Sequence, residues 1–151
     1  MTRSRASKTV LVLSVGNTPE PGATSIKHHR PDHIVFFVSQ KSNKKTVPKI
    51  LEAVPEFAAL ARVVLLDPEA EFEFSSSYTT ALEAMQAAMQ FTLQVIKVDI
   101  AGGTKPMTAA LVFAAIQTLE TSQQSLNFHA DNGVFTWFRF GEFQGHISLA
   151  K

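Results

Sequence analysis

Thr9-Val10-Leu11-Val12-Leu13-Ser14-Val15 runs directly into Gly16-Asn17-Thr18. The first stretch is apolar and β-branched without polar alternation, so a strand built from it has no face to give to water. Such a strand belongs in the middle of a parallel sheet covered by helices on both sides. His33-Ile34-Val35-Phe36-Phe37-Val38, Arg62-Val63-Val64-Leu65-Leu66 and Val95-Ile96-Lys97-Val98-Asp99-Ile100 repeat the pattern. Segments able to form helices separate these runs. That alternation predicts βαβ units, and hence a doubly wound α/β fold.

The connecting segments carry recognisable starts and stops. Gly22 to Arg30 predicts a short helix ended by Pro31. Ser42 to Leu60 contains Pro48, suited to a helix start, and Pro55, which should end or kink the helix. Tyr78 to about Phe91 is rich in Ala, Met and Gln and predicts a helix, with Ser75, Ser76 and Ser77 as N-cap candidates. A fourth helix is expected from Lys105 or Pro106 to about Glu120, capped by Thr104. Its centre, Ala109 to Ile116, is apolar on every side, which requires burial on every side. One face can lie on the sheet; the other implies a second copy of the chain. At the end, Asp131-Asn132-Gly133 between Ser125–Ala130 and Val134–Phe140 predicts a C-terminal antiparallel hairpin.

The 151 residues suit one domain spanning 1–151, large enough to bury about 70% of the surface its unfolded chain exposes. Hydrophobic residues make up 45% and charged residues 18%, a low charged fraction that fits partner-covered surface. The net charge of +1 lacks the broad basic footprint of a duplex-binding protein. With no cysteine, disulfides, thiolate metal sites and a cysteine nucleophile are excluded. The N-terminal apolar run is short for a signal peptide and no stretch reaches a membrane span, so a cytoplasmic location is expected.

Open α/β sheets bind ligands beyond the carboxyl ends of their strands. After the first strand, Gly16 permits close backbone approach and Asn17 and Thr18 offer hydrogen bonds; the loop is not the dinucleotide fingerprint. After the second come Ser39, Gln40, Lys41 and Ser42, better placed than Lys44 and Lys45 to reach a ligand. After the fourth, Gly102 and Gly103 open backbone amides at a helix N-terminus, which is an anion site, and Thr104 and Lys105 add a hydroxyl and a charge. This is not a Walker A loop. Other groups read as structural. Pro31 breaks metal-binding spacing among His28, His29 and His33. Asp67, Glu69, Glu71 and Glu73 read as a solvated acidic loop, Met85 and Met89 as core, and His129 with Asp131 forms no triad.

The run Val-Leu-Ser-Val-Gly-Asn-Thr-Pro-Glu-Pro, the run Lys-His-His-Arg-Pro-Asp-His-Ile-Val-Phe-Phe-Val-Ser and, above all, Asp-Ile-Ala-Gly-Gly-Thr-Lys-Pro-Met-Thr resemble the CARF family, the CRISPR-associated Rossmann-fold sensor domains. The resemblance covers nearly the whole chain. It implies a Rossmann-like domain that, as a homodimer, binds a cyclic oligoadenylate messenger (tetra- or hexa-adenylate) of type III CRISPR systems, with no cofactor, metal, duplex nucleic acid or membrane. Gly102, Gly103, Thr104 and Lys105 would hold the ribose–phosphate ring. Gly16, Asn17 and Thr18 would meet it from the first loop, Ser39 and Lys41 from the second, and Met107 would pack near the ligand or the dimer seam. Many members carry a C-terminal effector and others act alone as ring nucleases, so the resemblance implies either a sensor domain excised from a longer protein, with its effector outside this chain, or one that acts alone. In a metal-independent ring nuclease, Lys105 would stabilise the phosphorane, Ser14 or Thr18 would orient the nucleophile, and a 2′,3′-cyclic phosphate would result. The residues alone also allow a Rossmann-like binder of another nucleotide.

Overall fold

The computed structural model describes residues 9–91, 95–126, 133–139 and 142–148. Its six strands are β1 (Thr9–Val15), β2 (His33–Val38), β3 (Ala61–Leu65), β4 (Val95–Asp99), β5 (Gly133–Arg139) and β6 (Glu142–Ser148). They form one sheet in the order β3-β2-β1-β4-β5-β6. β1 pairs in parallel with β2 on one side and β4 on the other, and β3 and β5 extend the parallel set. The chain therefore winds outward from β1 in both directions. The place where the winding reverses is the gap between the ends of β1 and β4.

Alternation along the strands divides the core into two layers, because neighbouring side chains point to opposite sheet faces. Val10, Val12, Val35, Phe37, Ile96 and Val98 face helices α4 (Phe74–Met89) and α5 (Lys105–Leu126). Leu11, Leu13, Ile34 and Phe36 face α1 (Glu20–His29) and α3 (Val47–Ala53), packing on Ile26 and Ile50. Phe36, Phe37, Leu11 and Leu13 are wholly buried. Each contributes about 1.5–3 kcal/mol relative to an exposed position. Small residues let α4 and α5 approach each other and the sheet: Ala81, Ala84 and Ala88 on one, Ala110, Ala114 and Ala115 on the other, all buried.

Helix ends follow local chemistry. Pro48 sits in the first turn of α3, and Pro55 follows its end and opens a 3₁₀ turn over Pro55–Leu60. Arg30 takes a left-handed conformation (φ 45°) to close α1 before Pro31. Ser39 caps the short α2 (Gln40–Lys45), its hydroxyl accepting from Ser42 N at 3.2 Å.

Four expectations need correction. β3 is apolar yet lies at the sheet edge, leaving Val63 and Leu65 about 40% exposed (39% and 43%). α4 begins at Phe74, so the three serines lie inside its first turn; Glu73 takes the cap position and accepts from Ser76 Oγ at 3.2 Å. α5 continues to Leu126, so Ser125 and Leu126 are helical and no strand begins there. The antiparallel pair is instead β5 with β6, while the other edge of β5 pairs in parallel with β4. Residues 127–132, including His129 and Asp131, lie outside the described residues.

Candidate functional site

Beyond the carboxyl ends of β1 and β4, two glycine loops are pressed together. A Cβ on Gly16 would stand 2.8 Å from Gly103 N, and one on Gly102 would stand 2.5 Å from Ser14 O. Neither position has room for a side chain. Gly103 has φ +88°, a conformation L side chains rarely adopt, and lies against the buried Met107 side chain. These contacts bring the amides of the Gly102-Gly103 loop beside the first loop.

Ser14 and Asp99 fasten the loops from below. Ser14 is buried, and its hydroxyl donates to Gly102 O at 2.6 Å. Asp99 Oδ1 accepts from Ala101 N at 2.7 Å. Burial, opposed by the Ala101 amide and more weakly by the Ser25 hydroxyl, pushes the Asp99 carboxyl up to about 7. Asp99 Oδ2 and Ser25 Oγ are buried without a hydrogen-bond partner among the described residues.

Above this base is a cleft of about 200 Å³. The first loop contributes Val15, Gly16 and Asn17; the second contributes Ser39, Lys41 and Ser42. Gly103, Thr104 and Met107 line it from the head of α5, and Glu71 and Phe72 from the 3₁₀ turn Ala70–Phe72. Seven residues expected at a ligand therefore converge: Gly16, Asn17, Ser39, Lys41, Gly103, Thr104 and Met107. Thr18 and Lys105 are exposed outside the lining, and Gly102 lies in the loop beneath it. Ser14, expected to orient a nucleophile in a ring nuclease, lies beneath the loop with its hydroxyl bonded to Gly102 O.

Glu71 and Phe72 were not legible as site residues. The acidic run containing Glu71 reads as a solvated loop, but its turn is held to the site. Thr104 Oγ1 donates to Glu71 O and accepts from Met107 N at 3.4 Å.

The α5 expectation of burial on every side is not met within one chain. Phe113 is 59% exposed and Ile116 38%. With Phe74, Tyr78 and Gln117 they line an open apolar groove of about 680 Å³. The Tyr78 hydroxyl donates to Gln117 Oε1 across it. Groove and cleft share one short stretch of chain, since residues 71 and 72 line the cleft and Phe74 lines the groove.

Among the described residues, no group of three or more His, Cys, Asp or Glu could hold a metal ion, and no helix is long and apolar enough to cross a membrane.

This arrangement defines a Rossmann-like α/β domain with a cleft at its topological switch point, bordered by the glycine-rich head of α5. No protein-family profile matches the sequence, and no curated protein matches it. Solved structures do share the fold. Can2 from Sulfobacillus thermosulfidooxidans, in complex with cyclic tetra-adenylate, aligns over 90% of this chain and 36% of its own, with a TM-score of 0.63 and 13% identity. Csm6 from Enterococcus italicus, bound to cyclic hexa-2′-fluoro-hexa-dAMP, aligns over 93% of this chain and 35% of its own, with a TM-score of 0.64 and 15% identity. Protein VC1899 from Vibrio cholerae aligns over 93% and 36%, with a TM-score of 0.65 and 8% identity. The chain thus spans about a third of the length of these neighbours.

Proposed function

We propose that the chain is a CARF-type sensor domain that binds cyclic oligoadenylate in type III CRISPR defence, in the cytoplasm and as a homodimer. The observation that carries this reading is the convergence, at the switch point, of the Gly16-Asn17 loop, Lys41 and the Gly103-Thr104 helix head. The fold shared with proteins solved with cyclic adenylates supports it. In that role the amides at the head of α5 donate to phosphate oxygens, and Lys41 and Lys105 supply positive charge.

The cleft volume favours a shared ligand. About 200 Å³ is below the 300–1,000 Å³ of ordinary small-molecule pockets, and a ring of four or six nucleotides needs more. A second copy docked on the apolar groove would bring its own cleft alongside, because the same segment borders both. A ring of identical nucleotides has the two-fold symmetry that such a dimer requires. With the Ser14 hydroxyl engaged below the loop, the cleft supports binding better than cleavage. Coupling to an effector would then follow from a difference in dimer geometry between free and bound states.

Calorimetry with cyclic tetra-adenylate, cyclic hexa-adenylate and linear oligoadenylate tests the reading. The expected result is preference for one ring over the linear chain, with the ring recovered intact by chromatography after prolonged incubation. No affinity for either ring would leave a Rossmann-like domain for another nucleotide; a 2′,3′-cyclic phosphate product would make it a ring nuclease.

A further inference from the structure

The turn Ala70–Phe72 brings to the cleft a chemistry that phosphate binding does not use. Glu71 is the acidic residue among the lining groups. A carboxylate accepts hydrogen bonds and donates none, so it repels a phosphate and attracts a donor. Beside it, Phe72 is 69% exposed, more than any other large apolar residue among those described. Exposed aromatic rings along nucleic-acid grooves serve as stacking faces for bases.

The turn is firmly held. Thr104 Oγ1 donates to the Glu71 carbonyl, and Ser77 Oγ donates to Ala70 O at 2.7 Å. Ala70 is buried, and Glu69 turns the chain with φ 65°, an uncommon conformation for a residue other than glycine. The strand-three connection is therefore anchored to the same helix head that offers amides to phosphate. One side of the cleft donates; the other offers an acceptor beside a flat apolar ring.

We propose that Glu71 and Phe72 are the base-selecting pair of the cleft, Phe72 stacking on a nucleobase and Glu71 accepting from its exocyclic amine. This rests on the proposed function, under which the base is adenine and the amine its N6 group. The phosphate contacts read the ring's backbone and carry no base information. Glu71 supplies discrimination, because a site built to accept from an amine disfavours the analogue that lacks it.

The test pairs two ligands with two proteins. The ligands are the preferred cyclic oligoadenylate and the same ring built from purine riboside, in which hydrogen replaces the 6-amino group. The proteins are the unsubstituted chain and Glu71→Ala. The Glu71 carbonyl, not its carboxylate, takes the bond from Thr104, so the substitution leaves the turn fastened. The unsubstituted chain should prefer the adenine ring by roughly 10–100-fold, the discrimination expected of a charge-assisted hydrogen bond. Glu71→Ala should reduce that preference below about 3-fold. Phe72→Ala should weaken both rings alike. Equal preference in the unsubstituted chain and Glu71→Ala would overturn the proposal while leaving ring binding intact. Failure of the unsubstituted chain to bind either ring would overturn the function itself, and the proposal with it.

Discussion

Replacing Asp99 by Asn probes the base of the cleft through stability alone. Asp99 is 1% exposed, and burial holds its carboxyl at about 7 in the folded chain, against 3.8 for an ordinary aspartate. Between those values the folded state holds a proton that the unfolded state has lost. Stability from this group is therefore complete below about pH 3.8 and falls as pH rises, until it is gone above about pH 7. At 1.36 kcal/mol per pKa unit, the full span corresponds to about 4 kcal/mol. Asn keeps an oxygen for the Ala101 amide, places an NH₂ toward Ser25 and cannot ionise. The stability advantage of Asp99→Asn should therefore grow between pH 4 and pH 8 by about 2–4 kcal/mol, the lower figure allowing for relaxation around a buried charge. Urea unfolding of both proteins across this range measures it, and other titrating groups cancel in the difference. A difference that stays flat within about 0.5 kcal/mol, the scatter of ordinary surface substitutions, would refute the argument that burial controls this carboxyl.

Gly102→Ala should destabilise by about 1–3 kcal/mol in thermal or urea unfolding, because its Cβ would enter the space of Ser14 O, which is backbone and cannot swing aside. Wild-type stability in that variant would show that the loop is not pressed onto β1. Lys41→Ala and Lys105→Ala should each weaken ring binding about 10-fold by calorimetry, the loss of one charge-assisted contact. Unchanged affinity removes that lysine from the site, and Lys105 is the more exposed to this outcome because it stands outside the cleft lining. Phe113→Asp should give a monomer in sedimentation with folding stability changed by less than about 1 kcal/mol, since the ring is mostly exposed in the single chain. A persistent dimer would move the interface elsewhere.

The parallel sheet was legible because a continuous apolar run such as Thr9–Val15 offers no polar face to water and fits between two helical layers. Arg62–Leu66 carries the same signature but lies at the edge, because hydrophobic pattern records residue type and not which neighbour a strand finds. The strand expected from Ser125 does not start there because α5 runs on through Leu126, and turn chemistry is local whereas strand pairing is not. In the cleft, Gly103 and Thr104 were readable from a glycine loop opening a helix and Gly16 from the loop after the first strand, whereas Met107 came only with the family resemblance. The hydrogen bond from Ser14 to Gly102 O, 88 residues away, was not legible, because only the fold brings the two together. Glu71 escaped for the same reason: only the three-dimensional fold brings the turn after β3 to the head of α5.

Stoichiometry of ring binding bears most directly on the central claim, that two copies of a small anion-seeking cleft complete one site. Titrating the purified chain with its preferred cyclic oligoadenylate, with mass measured by light scattering before and after, should give one ring per two chains in a complex of dimer mass. One ring held by a single monomer, or no heat of binding with any ring, would contradict it.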